Sequence, residues 1–257
     1  MLAYRTTTAL VTGASSGIGE AIAHALAAQG VPVPVLIARQ ARELEALATW
    51  LTSETTRVET IVLDLTAADA PARVKAETDR RGLEIDLLVN DAGIGAIGSF
   101  DQPREGPGSE STGRVVALNV AALVGLTEQY LPGMVQRGRG GVLNLGSTAA
   151  FQPVPYSAVY GASKAFVLSF SQALWAELHD RGHDEVRMVC LCPGVTDTSF
   201  GFGHGEPRGD LAGISVSTPA EVARVALVAL DTNAPYRVVG AANRALGVAS
   251  RLLPSPL

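Results

Sequence analysis

Lysine is nearly missing from this 257-residue chain: Lys75 and Lys164 stand against 18 arginines. Cysteine is as scarce, with Cys190 and Cys192 alone. Two residues apart, they suit one face of a strand, and no second pair exists for a zinc site or a disulfide framework. A reducing, cytoplasmic compartment is the expectation. There is no basic tract, and the net charge is −5, which argues against a nucleic-acid or anionic-membrane surface. No apolar run is read as reaching membrane-spanning length; the stretch 21–38 is broken by His24, Gln29, Gly30 and two prolines. The first residues lack the basic, apolar and small-residue segments of a secretory signal. His24, His179, His183 and His204 are too scattered for a metal site, so none is expected. Charged residues are only 18% and hydrophobic ones 47%, which excludes a disordered chain and leaves material for a sizeable core. Abundant arginine and alanine with little lysine resembles the output of a GC-rich bacterial genome.

What is present is an alternation. Residues 6–11 are β-branched and apolar, and a glycine turn leads into helical periodicity over 18–28. Strand-like runs follow at 31–37, 58–63 and 85–89, with helical patterns at 42–51 and 67–81 between them. Pro32 and Pro34 are expected at the start of their strand. Two long helices are predicted at 114–135 and 156–181, with strands at 141–145 and 186–191. Thr218-Pro219-Ala220-Glu221 is a helix start, with Thr as N-cap and Pro at the first helical position. A last short strand is expected at 236–239. Strands alternating with helices, without hairpin signals, predict a single doubly wound α/β domain with a parallel sheet flanked by helices on both faces. Its cofactor half covers about 1–140 and its catalytic and substrate half about 141–257.

The first strand runs into Thr12-Gly13-Ala14-Ser15-Ser16-Gly17-Ile18-Gly19. Glycines spaced G-x-x-x-G-x-G between a first strand and a first helix suit a dinucleotide pyrophosphate, held by the helix N-terminus. An ordinary strand-to-helix turn is the plainer alternative, and the position of the triplet argues against it. The second strand ends at Ile37-Ala38-Arg39-Gln40, without the acid that usually holds the ribose hydroxyls of NAD. Arg39 stands there instead, with Arg42 close behind. A guanidinium matches a 2′-phosphate, so NADP(H) is the predicted cofactor; a solvated surface arginine is the alternative.

Tyr160-Gly161-Ala162-Ser163-Lys164 places a tyrosine and a lysine four apart on one helix face. An ammonium beside a phenol favours the phenolate and suits the phenol to trading protons. The pair could equally be structural, although lysine is too rare here for that to be the easy explanation. Ser147 follows a predicted strand at the edge where open α/β sheets bind ligands. It can hydrogen-bond a substrate carbonyl or cap a turn. Asn119 lies mid-helix, where Asn is a poor helix former; a buried polar role and a core amide are both open.

Taken together, TGASSGIG, the NDAG of Asn90 to Gly93, LNV around Asn119, Gly146-Ser147, YGASK and CPGVTDT from Cys192 to Thr198 appear in order at fitting intervals. Over roughly residues 6–240 the chain resembles a short-chain dehydrogenase/reductase of the NADP-preferring type. The resemblance implies a Rossmann-fold oxidoreductase with a tetrad of Asn119, Ser147, Tyr160 and Lys164. Tyr160 would be the general acid/base and Ser147 would polarise the carbonyl. Lys164 would hold the nicotinamide ribose, and Asn119 a water in a proton relay. It further implies cofactor contacts from Gly13, Ser15, Ser16, Gly17, Ile18, Gly19, Asp64, Leu65, Asn90, Ala92, Gly93, Pro193, Gly194, Val195 and Thr198. The family usually has a second asparagine where this chain has Asp91, which bears on the stability of the sheet end.

The substrate is expected to be a small, largely apolar carbonyl or alcohol, contacted by Thr148, Phe151, Val154, Tyr156, Phe200 and Phe202. Oxidation of a sugar or ring hydroxyl on the same site, and a cofactor-binding regulatory or scaffold protein without turnover, are the alternatives. The resemblance implies that the two long helices pair across a two-fold axis, giving a homodimer or homotetramer. The glycine-rich segment 199–217 is expected to act as a lid, with His204 a candidate substrate contact. The tail 238–257 reads as an amphipathic helix or a loose end.

Overall fold

The computed structural model describes residues 2–102, 110–200 and 216–252. Seven strands form one sheet: β1 (Thr8–Thr12), β2 (Val33–Ala38), β3 (Glu59–Val62), β4 (Leu87–Asn90), β5 (Gly140–Leu145), β6 (Val186–Cys192) and β7 (Tyr236–Val238). Their order is β3-β2-β1-β4-β5-β6-β7, and every pairing is parallel. The order reverses between β1 and β4. There the crossovers leave in opposite directions, and a crevice opens at the strands' carboxyl ends.

Near-continuous apolar runs make these strands because both faces of the sheet are covered. On one face α1 (Gly17–Ala28), α2 (Ala41–Leu51) and α7 (Pro219–Thr232) pack Ile22, Leu26, Leu44, Val222 and Leu230 onto Val11, Leu36, Val89 and Leu143. On the other, α3 (Ala70–Arg80) and α5 (Leu123–Arg137) press Val74, Leu126, Tyr130 and Met134 onto Leu10, Leu88 and Val142. α6 (Ala158–Asp180) joins them there through Leu178. The doubly wound architecture predicted from the sequence is the one observed.

One local expectation holds and others need correction. Pro34 is the second residue of β2, opposite Ala9, and Pro32 immediately precedes the strand, so both prolines sit at its start as expected. Pairing with β3 begins only at Val35, so the missing N–H falls outside the doubly paired stretch. The long helix of 114–135 is not uniform. A short α4 (Thr112–Val116), capped by the Ser111 hydroxyl, passes through a π-helical turn over Ala117–Ala122 before α5 begins. By length and hydropathy, the combined helix Thr112–Arg137 could cross a membrane. That differs from the expectation that no apolar run reaches membrane-spanning length. Its apolar side, however, packs against the sheet. Finally, a 3₁₀ turn over Thr148–Phe151 follows Ser147, where no element was expected. The tail forms α8 (Ala241–Leu252).

Candidate active site

A cleft of about 600 Å³ runs along the carboxyl ends of the strands at the β1/β4 switch point. Its floor begins with the glycine loop. Gly13 and Gly17 adopt φ of +69° and +63°, which L side chains rarely accept. Ser16 precedes α1 in extended conformation and makes no side-chain capping bond, so the positive end of the helix dipole faces the cleft without a capping hydroxyl. Ser15 reaches across to Gln40 at the end of β2. Behind the loop, the Thr12 hydroxyl donates to the Val89 carbonyl and accepts from the N–H groups of Asp91 and Ala92, at 3.0 Å each. This single threonine locks the ends of β1 and β4 together.

Arg39 and Gln40 line one end of the cleft with Asp64 and Leu65. Arg39 is exposed, as a phosphate-binding guanidinium needs to be. Burial works to raise the Asp64 carboxyl, but hydrogen bonds from Thr66 and the charges of Arg114 and Arg39 outweigh it and hold the group below its ordinary range. An anion is therefore fixed between two cations at this end.

At the other end stand Ser147, Tyr160 and Lys164, all in the cleft wall. Lys164 is buried and its ammonium donates to the Leu145 carbonyl at 2.7 Å; it lies 5.8 Å from the Tyr160 ring centroid. Ser147 accepts from the Ala149 N–H at 3.1 Å, which caps the 3₁₀ turn and leaves its own proton available to donate. Of its two open roles, capping is therefore real and does not preclude the other. Asn119 sits in the π-helical turn. Its amide exchanges two 3.0 Å bonds with the backbone of Ile94 and donates to the Ser163 hydroxyl at 3.1 Å. The wide turn carries this side chain to both partners, a common use of π-bulges at functional sites. Phe200 lies over Tyr160, ring centroids 5.6 Å apart. Pro193, Gly194, Val195 and Thr198 close the wall, and the Thr198 side chain approaches Gly17 from the far side of the cleft.

Not every expected residue faces the cleft. Gly13, Ser15, Ser16, Gly17, Ile18, Ala92 and Gly93 line it, while Gly19 lies beneath the loop and Asn119 beneath the wall. Asn90 turns away altogether. Its amide donates to Asn144 at 2.9 Å and to Thr127, and Asn144 in turn donates to Ser171, a buried polar chain that ties β4 to β5 and α6. Of the expected substrate contacts, Thr148 and Phe200 line the cleft. Phe151 packs against Gly247 and the Tyr236 ring, and Val154 against Gly161. Tyr156 points to solvent at 70% exposure. Phe202, His204 and most of the expected lid fall outside the described residues. Asp91, read from the sequence as a matter of sheet-end stability, lines the cleft. Cys190 and Cys192 are free and buried side by side on β6, as their spacing implies. Among the described residues no cluster of metal-ligating side chains occurs.

A family model described as short chain dehydrogenase matches residues 7–205. The very-long-chain 3-oxoacyl-CoA reductase of Bos taurus is 36% identical over 180 residues, which is 68% of this chain and 55% of that protein. The chain thus spans little more than half the length of that relative. A short-chain dehydrogenase from Sphingobium yanoikuyae, solved in complex with NADPH, superposes with a TM-score of 0.80 at 33% identity, covering 98% of this chain and 96% of the other. The bulky-bulky ketone specific alcohol dehydrogenase from Comamonas testosteroni gives a TM-score of 0.77 at 30% identity over 96% and 93% of the two chains.

Proposed function

The chain belongs to the short-chain dehydrogenase family, and from that premise we propose that it is an NADP(H)-dependent oxidoreductase that interconverts a ketone or aldehyde and the matching alcohol. The observation that carries the proposal is the two-ended cleft. Arg39 lies where a 2′-phosphate would bind, the glycine loop and the N-terminus of α1 lie between, and Ser147, Tyr160 and Lys164 share the far wall. The dinucleotide fits this cradle, whose close-packed glycines leave the loop backbone open to a pyrophosphate. Bound there, it would supply or accept the hydride.

The chain's own residues handle the oxygen and its proton. Ser147 donates its hydroxyl proton to the substrate oxygen and orients it. Tyr160 protonates that oxygen during reduction and takes the proton back during oxidation. Lys164, held by the Leu145 carbonyl, brings positive charge to the phenol and would hold the nicotinamide ribose hydroxyls. Asn119 fixes the backbone at Ile94 and the Ser163 hydroxyl beside Lys164, the position from which a relay water is held.

The substrate side is framed by Ile94, Leu118, Thr148 and Phe200, which suits an apolar ketone. The 3-oxoacyl-CoA reductase and the ketone-specific alcohol dehydrogenase among the relatives support that class. We also propose a homodimer or homotetramer. The face shared by α4, the π turn and α6 leaves Val116 and Phe166 exposed, with Val120, Val159 and Ala162 between them. Light scattering at micromolar concentration is expected to give a multiple of 26.6 kDa; a monomer alone would remove this part of the proposal. The activity itself is tested by NADPH consumption against a panel of aldehydes and ketones, and a chain that binds NADPH without turnover would favour a regulatory role.

A further inference from the structure

We infer that Asp91 is a positioning residue of the dinucleotide site that works as a proton-linked latch: its carboxyl braces the glycine loop from beneath, and cofactor binding draws a proton onto it. The inference rests on the NADP(H) reading above, and it starts from the geometry of the loop. The backbone of Asp91 is fixed by Thr12 at the end of β4, which aims the side chain under the loop. Its Oδ2 lies 2.9 Å from where a Cβ on Gly13 would sit and 2.6 Å from where one on Gly19 would sit. The Gly13 carbonyl oxygen comes within 2.6 Å of that same second point. Two acceptor oxygens therefore converge on the space that Gly19 leaves empty. The carboxyl therefore fills the space under the loop, where the Gly19 N–H donates to it and where a dinucleotide pyrophosphate would lie on the other side of the same glycines.

The surroundings favour the proton. Enclosure by the loop pushes the Asp91 carboxyl up to about 7, against the opposing pull of the Lys164 ammonium and of the Gly19 N–H that donates to it. β1 contributes the neutral Thr12 hydroxyl, and α1 the Gly19 N–H, with Glu20 next along. α6 contributes Lys164 and Tyr160. Among the described residues, Lys164 is the cation whose field acts to ionise Asp91. A pyrophosphate on the same loop adds negative charge next to this carboxyl, and like charge disfavours its ionised form. Occupancy and protonation therefore reinforce each other. An asparagine would hold the loop with a permanent N–H donor at every pH, so this dependence belongs to the aspartate.

The test is calorimetric titration of NADPH into the wild type and Asp91→Asn at pH 8, in buffers of different ionisation enthalpy. The reduced cofactor avoids the positive charge of its oxidised ring, and titration of the 2′-phosphate is common to both proteins. The wild type is expected to take up close to one more proton than the variant. Its NADPH Kd should also weaken by up to about tenfold per pH unit above 7 relative to the variant's. A difference infrared spectrum of the wild type alone should show a protonated carboxyl band appearing with NADPH at pH 8, a readout that survives if the variant does not fold. Equal proton uptake by the two proteins, or no new carboxyl band, would overturn the latch. Failure of the wild type to bind NADPH at all would overturn the cofactor assignment beneath it.

Discussion

At the level of single residues the proposed cofactor preference rests on Arg39, which is exposed and lines the cleft where an acid would select NAD. Arg39→Asp should weaken NADPH binding by about tenfold or more, the loss of a charge-assisted bond of about 1.5–3 kcal/mol, and improve the use of NADH. A wild type that prefers NADH by kcat/KM would show the assignment to be wrong. Asp91 makes a second prediction. Its carboxyl sits at about 7 in the folded chain and near 4 when unfolded, so the folded state holds the proton more tightly. The stability this contributes is complete below about pH 4 and is lost as pH rises through about 7. Melting temperatures of the wild type without cofactor should therefore fall relative to Asp91→Asn across that window; parallel curves would contradict it. The identity of these residues was legible in the sequence, but their aim was not. Nothing local told that Asn90 would turn into the sheet toward Asn144 while Asp91 turned under the loop. That split depends on how β1 and β4 meet through Thr12.

Among the elements, strands and helices were legible wherever period and length were regular. The capped start of α7 is one such case, where the Thr218 hydroxyl accepts from the Glu221 N–H. What escaped was decided by tertiary partners. The π-helical turn exists where Asn119 meets Ile94 and Ser163, contacts 25 and 44 residues away. The 3₁₀ turn after Ser147 carries Phe151 out of the cleft and toward Tyr236. The last helix has a role that the sequence did not suggest. Asn243 of α8 donates to the Val239 carbonyl and fills the space where a side chain on Gly194 would begin. Gly194→Ala should therefore cost on the order of 1–3 kcal/mol through overpacking and raise the KM for NADPH. Adding Asn243→Gly should recover much of both losses. A double-mutant cycle in melting temperature and KM measures the coupling, and simple additivity would separate α8 from the cleft.

For the whole molecule, the sheet order brings motifs from distant parts of the chain to one edge, and that convergence is why scattered motifs could be read as one site. The glycine loop, Arg39, the pair Ser147 and Tyr160, and Thr198 belong to four different crossovers, yet all line the same cleft. The central claim is carbonyl reduction with NADPH in which Tyr160 supplies the proton. Its most direct test is the rate of NADPH oxidation by the wild type and by Tyr160→Phe on the best apolar ketone of a panel. The substitution removes the phenolic oxygen and keeps the ring that packs against Phe200. Turnover should fall by about 10²–10⁴-fold, the usual contribution of general acid–base catalysis, while NADPH still binds. A Tyr160→Phe enzyme that keeps near-wild-type turnover would contradict the account.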